Sequence, residues 1–313
     1  GCRENWAPSV DPAGGTPGRA NSVEEPVPDA DPPFLRRAFP ADSVTVDAWF
    51  TEPVDSASAS RAEAWTLSGP EEPVHPVEVS PAGPSFERVR LTFGTPLLPG
   101  TAFFLLVSGT IRDCAANPSD TSRVARVALP VRAEPGDAVI NEILPDPVPG
   151  GVRFAELCNR SGKVLDLSGL VLATGLAPGE WKTSAEPLTG EGFLLFPGDL
   201  VAFTPDPADL SYRYFSAIPL NLEKMNAFPV LGSDTGHLVL ARKEDLAMID
   251  SAVYGASMHY PLLVSREGVS LERTSPDISS TAPGNWHSAA ETAGFATPGR
   301  FNSHRMMPEP GEE

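Results

Sequence analysis

Residues 44–50 read VTVDAWF. Val44, Val46, Ala48 and Phe50 fall on one side of an extended chain and Thr45, Asp47 and Trp49 on the other, the period of two that marks a half-buried β-strand. The alternation recurs at Val89, Leu91 and Phe93, set between Arg88, Arg90 and Thr92. Residues 102–107 form a nearly continuous apolar run suited to a central strand, and residues 124–131 supply a closing one. Turn residues punctuate these runs at Glu52-Pro53, at SPAGP (80–84) and at Leu98-Pro99-Gly100. Residues 56–64 alone carry helical spacing here. About seven short strands in roughly 100 residues predict an immunoglobulin-like antiparallel sandwich.

The logic repeats further along. AVINEIL (138–144) and FAELCN (154–159) open a second body, and residues 165–173, 192–203, 236–242, 248–254 and 269–273 continue it as strands. The long stretch 205–231 carries Tyr212, Tyr214, Phe215 and Phe228, and is expected to pack or to hold a short helix, since a structureless loop of that length is uncommon. The sequence therefore predicts an all-β chain of two consecutive sandwiches.

An internal repeat sets the ends. NWAPSVDPAGGTPGRANS (5–22) and NWHSAAETAGFATPGRFNS (285–303) share Asn-Trp, Ala-Gly, Thr-Pro-Gly-Arg and Asn-Ser with one gap. Residues 1–22 then read as the closing segment of a preceding copy, expected to dock on a neighbouring surface of either body or on another chain. Residues 23–33 (VEEPVPDADPP) read as a semi-extended linker, 34–134 and 135–304 as the two bodies with a break at Glu134-Pro135-Gly136-Asp137, and 305–313 as a further linker.

Composition limits the function. The 313 residues carry Lys+Arg 23 against Asp+Glu 41, a net charge of −18, which argues against gripping nucleic-acid phosphates by charge. No run of 18 apolar residues exists, so no membrane-spanning helix is expected. The start, Gly1 to Trp6, has no apolar leader; the chain is read as cytosolic or as a piece of something larger, and the terminal repeat favours the piece.

Two resemblances follow from motif order. FTEPVDSASAS (50–60), AWTLSG (64–69), LLPGTAFFLLVSG (97–109) and IRDCAANP (111–118) resemble the bacterial Ig-like domain of surface-layer and other secreted proteins, with Ala116 where Gly is usual. VINEILPDP (139–147), FAELCNRSGKVLDLSGLVLA (154–173), FPGDLVAFT (196–204), LGSDTGHLVLARKEDLAMIDSAVYG (231–255), GVSLERTSP (268–276) and the closing NWHSAAETAGFATPGRFNS resemble the lamin-tail domain over nearly all of 138–303. The resemblance implies an immunoglobulin-like sandwich and placement in a large exported bacterial protein, secreted or at the cell surface.

Candidate chemistry is sparse. His75, His237, His259, His287 and His304 are scattered without HxH or HExxH spacing, and no Cys pair has zinc spacing. No Gly-x-Ser-x-Gly elbow or phosphate loop occurs. Glu142 and Glu156 lie on strands that would pair, with Asp250 and Glu272 on later strands; two such carboxylates can do glycosidic acid/base work, but the structural reading is preferred, in which they bond to Arg153, Arg273 or Arg300 or to loop backbone. If Phe154 points inward, Glu156 on the same face is buried and is expected to bond to an Arg or to backbone N–H groups of the closing segment, and removing it should cost about 3–5 kcal/mol; if Ala155 and Leu157 point inward, Glu156 is solvated. Asp113, Asn117 and Asp120, and separately Asp206 and Asp209, are the oxygen clusters available to Ca²⁺, although such residues are also ordinary turn formers. Cys2, Cys114 and Cys158 are read as free thiols, because bridging the two bodies needs Cα atoms within about 7 Å. Trp286, and Trp6 in the repeat, are read as buried anchors rather than sugar platforms.

No catalytic, cofactor or metal residue is assigned. The expected function is non-enzymatic: structural or adhesive modules whose partners are other domains of the same polypeptide, and surface glycan or protein. The alternatives are a glycan-binding module using the 205–231 aromatics, and accessory domains of a secreted hydrolase or nuclease encoded elsewhere in the parent chain.

Overall fold

A computed structural model describes residues 8–23, 29–175, 180–215 and 217–304. The chain divides into two compact units, Gly1–Leu129 and Pro130–Glu313. Residues 130–133 go with the second unit because the Val131 amide donates to Val164 O at 2.9 Å.

In the first unit the alternating stretch becomes a strand. β1 (Leu35–Pro40), β2 (Thr45–Phe50), β3 (Trp65–Ser68), β4 (Glu78–Ala82), β5 (Arg88–Thr92), β6 (Phe103–Val107) and β7 (Ala125–Val127) form two antiparallel sheets, ordered β1-β2-β5-β4 and β3-β6-β7. Val46, Ala48 and Phe50 are buried, and Phe50 of one sheet meets Trp65 of the other edge-on, with ring centroids 5.7 Å apart. The opposite face of β2 is covered by cations: Arg90 makes a two-pronged bond to Asp47 at 2.7 and 2.8 Å, and the Arg37 guanidinium lies 4.7 Å over the Trp49 ring. The helical spacing at 56–64 yields one turn, α1 (Ser56–Ala59), capped by Asp55, and a short 3₁₀ turn. Ala116, at the position where the resembled family has Gly, has φ +71°, so an alanine occupies a left-handed turn.

Among the described residues, the second unit holds twelve strands. β8 (Ala138–Leu144), β9 (Phe154–Asn159), β10 (Leu165–Asp166), β11 (Leu170–Thr174), β12 (Glu186–Pro187), β13 (Leu194–Leu195), β14 (Leu200–Thr204), β15 (Leu222–Lys224), β16 (Thr235–Arg242), β17 (Met248–Gly255), β18 (Leu271–Arg273) and β19 (Trp286–Ser288) make a six-stranded sheet β15-β14-β9-β8-β18-β19, a four-stranded sheet β12-β11-β16-β17 and the ribbon β10-β13. Among the described strands, β14–β15 pairs in parallel and the rest antiparallel, with one isolated parallel bridge between Val131 and Leu165. Ile140, Ala155, Leu157, Val201, Phe203 and Leu271 of the large sheet share one core with Leu172, Leu238, Leu240, Ile249 and Tyr254 of the smaller.

The large sheet is covered on its other face too. The 205–231 stretch forms α2 (Pro207–Arg213), started by Pro207 and capped by Asp206, and its Leu210 and Tyr214 pack with Leu144, Phe154, Ala202, Leu222 and Ala296 in a second core. Each register foreseen for β9 therefore holds in part. Ala155 and Leu157 face the main core, yet Phe154 and Glu156 on the reverse face are also buried. Every residue of FAELCN is buried because the sheet lies between two apolar layers.

Candidate functional site

Cross-strand register lines up three glutamates. Glu156 on β9 faces Glu142 on β8, and Glu142 faces Glu272 on β18. A bulge between Ile140 and Glu142 leaves Asn141 as the extra residue, and its side chain turns to the same row: Asn141 Nδ2 donates to Glu156 Oε1 at 2.8 Å and to Asn302 Oδ1 at 2.7 Å. All three glutamates have 0% exposure. Like charges directly opposite on paired strands repel, so the row needs donors, protons or both.

The donors come from the closing segment. Thr297 N–H donates to Glu142 Oε1 at 2.8 Å, Gly299 N–H to Glu156 Oε2 at 2.6 Å, and Ser303 N–H to Glu272 at 2.9 and 3.0 Å. The Ser303 hydroxyl adds a bond to Glu272 at 2.6 Å, and Ser270 Oγ donates to Glu142. Asn302 Nδ2 donates to the backbone oxygens of Asn141 and Arg273. Three carboxylates thus hold residues 297–303 by the main chain, a segment with no ladder of its own.

The proton count of the row follows from one hydroxyl. Thr297 Oγ1 lies 3.0 Å from Glu142 Oε2 and 2.7 Å from Glu272 Oε1. It has a single hydrogen, so it donates to one carboxyl and accepts from the other, which is then protonated. Burial, followed by the neighbouring Glu272 charge, pushes the Glu142 carboxyl up to about 8; the proton belongs on Glu142. Burial and then Glu142 also raise Glu156 well above the ordinary range.

The arginines read as partners lie elsewhere. Arg273 pairs with Asp250 at 3.3 Å, Arg153 Nε donates to Pro145 O at 2.8 Å, and Arg300 is exposed. Of the two partner types expected for the glutamates, loop backbone is the one found. Trp286 is a buried anchor, its Nε1 donating to Ser280 O at 2.9 Å; Trp6 lies outside the described residues. Asn285 beside it accepts from Thr274 and Ser275 and donates to Ile278 and Ser279. The residues that sequence reasoning missed, Asn141, Thr297, Gly299, Asn302 and Ser303, had a signal: apart from Asn141, they are letters kept in the internal repeat.

The other candidates separate. His259 Nδ1 sits 3.0 Å from Ser288 Oγ, and burial holds its ring below the usual histidine range; His75 and His237 meet backbone oxygens. Asp206 caps α2, and Asp209 pairs with Arg213 at 2.7 Å. Asp113 keeps Asn117, which donates to it from both backbone and side chain at 2.8 Å, but Asp120 instead caps Ser122. Asp113 converges with Asp29 and Glu52, one oxygen of each lying within 4.8 Å of the others. The free-thiol reading fails for Cys114, which is disulfide-bonded; Cys158 is a buried thiol, and Cys2 lies outside the described residues.

No family model and no curated protein matches the chain, so both family resemblances rest on motif order. Solved structures give distant likenesses. The N-terminal part of the bacterial S-layer protein SbsC is 15% identical over 72% of this chain and 44% of that one, with a TM-score of 0.31. A DUF4876 family protein from Bacteroides thetaiotaomicron is 10% identical over 90% and 98%, at 0.30. The Escherichia coli adhesin FdeC is 13% identical over 72% and 62%, at 0.22. The chain spans under half the length of the S-layer structures it matches. Likeness at this level assigns no residue a role.

Proposed function

We propose that the chain supplies non-enzymatic structural and adhesive modules of a large exported bacterial surface protein, its second unit a lamin-tail-like sandwich closed by a glutamate latch. One observation carries this. The carboxyl groups that the sequence offers for acid/base work, Glu142 and Glu156, are sealed beneath residues 297–299 and accept hydrogen bonds from the amides of Thr297 and Gly299. A general acid or base must come within hydrogen-bond reach of substrate, and these two are already engaged by their own chain. The disulfide at Cys114 supports export, since such bonds persist in oxidising compartments. The test is a hydrolase panel on the purified chain with nucleic acid, glycan, ester and peptide substrates. No turnover above a matched blank is expected; turnover abolished by Glu142→Gln in a folded chain would overturn the reading.

A glycan-binding reading has one specific support. Tyr212 and Phe215 of the 205–231 stretch are 88% and 76% exposed, whereas Tyr214 and Phe228 are taken up by packing. A glycan array with the native chain and Tyr212→Ala separates it: a signal lost in the variant favours adhesion through sugar.

A further inference from the structure

Residues 9–22 and 290–303 share a shape as well as letters. Gly14 and Gly294 have φ of +81° and +80°, and Gly18 and Gly299 +73° and +81°. Gly14 N–H donates to Asp11 O at 2.8 Å, as Gly294 N–H donates to Glu291 O at 2.9 Å. Arg19 N–H reaches Thr16 O at 3.1 Å, and Arg300 N–H reaches Thr297 O at 3.1 Å. Ser22 Oγ accepts the Val10 amide at 3.0 Å, the bond that Ser303 Oγ makes with the Ala290 amide at 2.8 Å. Two left-handed glycines and a hydroxyl that closes the loop from its far end thus recur at matching positions.

The two segments differ in what covers them. Thr297, Pro298, Gly299 and Asn302 are buried, whereas their counterparts Pro17, Gly18 and Asn21 are exposed and Thr16 is half-buried. A Cβ built on Gly299 would meet Asn221 Cβ at 2.9 Å and Ile218 O at 3.0 Å, while one built on Gly18 meets nothing within 4 Å. The first segment has the form of a seated clasp with its seating face open.

We propose that residues 9–22 are a preformed clasp that seats on the glutamate row of a second copy of this unit, Thr16, Gly18 and Ser22 taking the places of Thr297, Gly299 and Ser303 over Glu142, Glu156 and Glu272. Preorganisation lowers the ordering cost of such a contact. A unit's own clasp is tethered and competes at high effective concentration, so the partner is a copy whose own closing segment is displaced. The proposal rests on the latch reading of the three glutamates.

The experiment compares full chains. In one, residues 290–303 are replaced by residues 10–22; in another, by a scramble of 290–303. The graft is expected to melt within about 5 °C of native and the scramble to melt well below it. A scramble that melts with the native chain overturns the latch itself; a graft that falls with the scramble overturns the clasp and leaves the latch standing. A synthetic peptide of residues 8–23, added to the scrambled chain, is then expected to raise its melting temperature in a saturable way. Failure there, with a peptide of residues 285–304 succeeding, would contradict seating on a second copy.

Discussion

Glu156 Oε2 accepts a hydrogen bond from the Gly299 amide at 2.6 Å, joining residues 143 apart in sequence. The other carboxyl oxygen accepts from Asn141 Nδ2, so both oxygens are engaged. Glu156→Gln puts an NH₂ group where one donor already points. With N–H partners rather than a buried arginine, no cation is stranded, and the loss belongs to an unsatisfied buried polar group, about 1–3 kcal/mol, rather than to a broken buried ion pair. Denaturant melts of the variant measure it; a loss below about 0.5 kcal/mol, the range of surface changes, would contradict burial of the contact.

Stability should fall as pH rises. The folded-state carboxyls of Glu142 and Glu156 sit above the ordinary glutamate value of 4.5, Glu142 at about 8. The native state therefore binds more protons than the unfolded chain across that window, which makes the slope of unfolding free energy against pH negative. Their contribution is complete below about pH 4.5 and is lost as pH rises, that of Glu142 as it climbs through about 8. His259, lowered by burial, acts oppositely and loses its contribution as pH falls below the ordinary 6.5. Asp245, held at about 2 by Arg242, keeps its contribution throughout. Calorimetry between pH 5 and 9 should show a falling melting temperature, and Glu142→Gln should flatten it.

Gly299→Ala meets both a left-handed backbone and a wall. The conformation alone costs about 1–2 kcal/mol for a residue with a Cβ, and Asn221 Cβ and Ile218 O stand 2.9 and 3.0 Å from the new atom. Gly18→Ala, at φ +73° with nothing within 4 Å, has only the conformational part. In paired chemical melts the Gly299 variant is expected to be the less stable of the two; equal losses would mean that the closing segment is not seated.

The opposite substitution should help the first unit. Ala116 holds φ +71°, and Gly there relieves a left-handed Cβ, offset in part by the greater freedom of the unfolded chain. Ala116→Gly is expected to stabilise by a few tenths to about 1 kcal/mol, read from the urea midpoint.

The all-β architecture was legible because period-two alternation is local: VTVDAWF names its own buried face. β9 misled because FAELCN is buried on both sides, and the second layer comes from α2 and residue 296, far along the chain. The glutamates were visible as candidates and backbone amides of the closing segment were among the partners expected for Glu156, but which amides serve was not visible, since a backbone amide leaves no mark of its own in a sequence. What did mark them was the repeat: Thr297, Gly299, Asn302 and Ser303, which make the bonds, stand where Thr16, Gly18, Asn21 and Ser22 stand in the first segment. The arginine partners failed for a plain reason, that Arg273 lies on β18 next to Glu272 and so on the other face, toward Asp250.

The central claim is that three buried glutamates hold the closing segment by its main chain. Amide hydrogen exchange followed by NMR reads this at the atoms concerned. Thr297, Gly299 and Ser303 lie in irregular chain, where amides without partners exchange quickly. The latch predicts that these three exchange as slowly as the amides of β8 and β9 and that Glu156→Gln speeds Gly299 most. Exchange of all three at the rate of exposed loop amides in the native chain would contradict it.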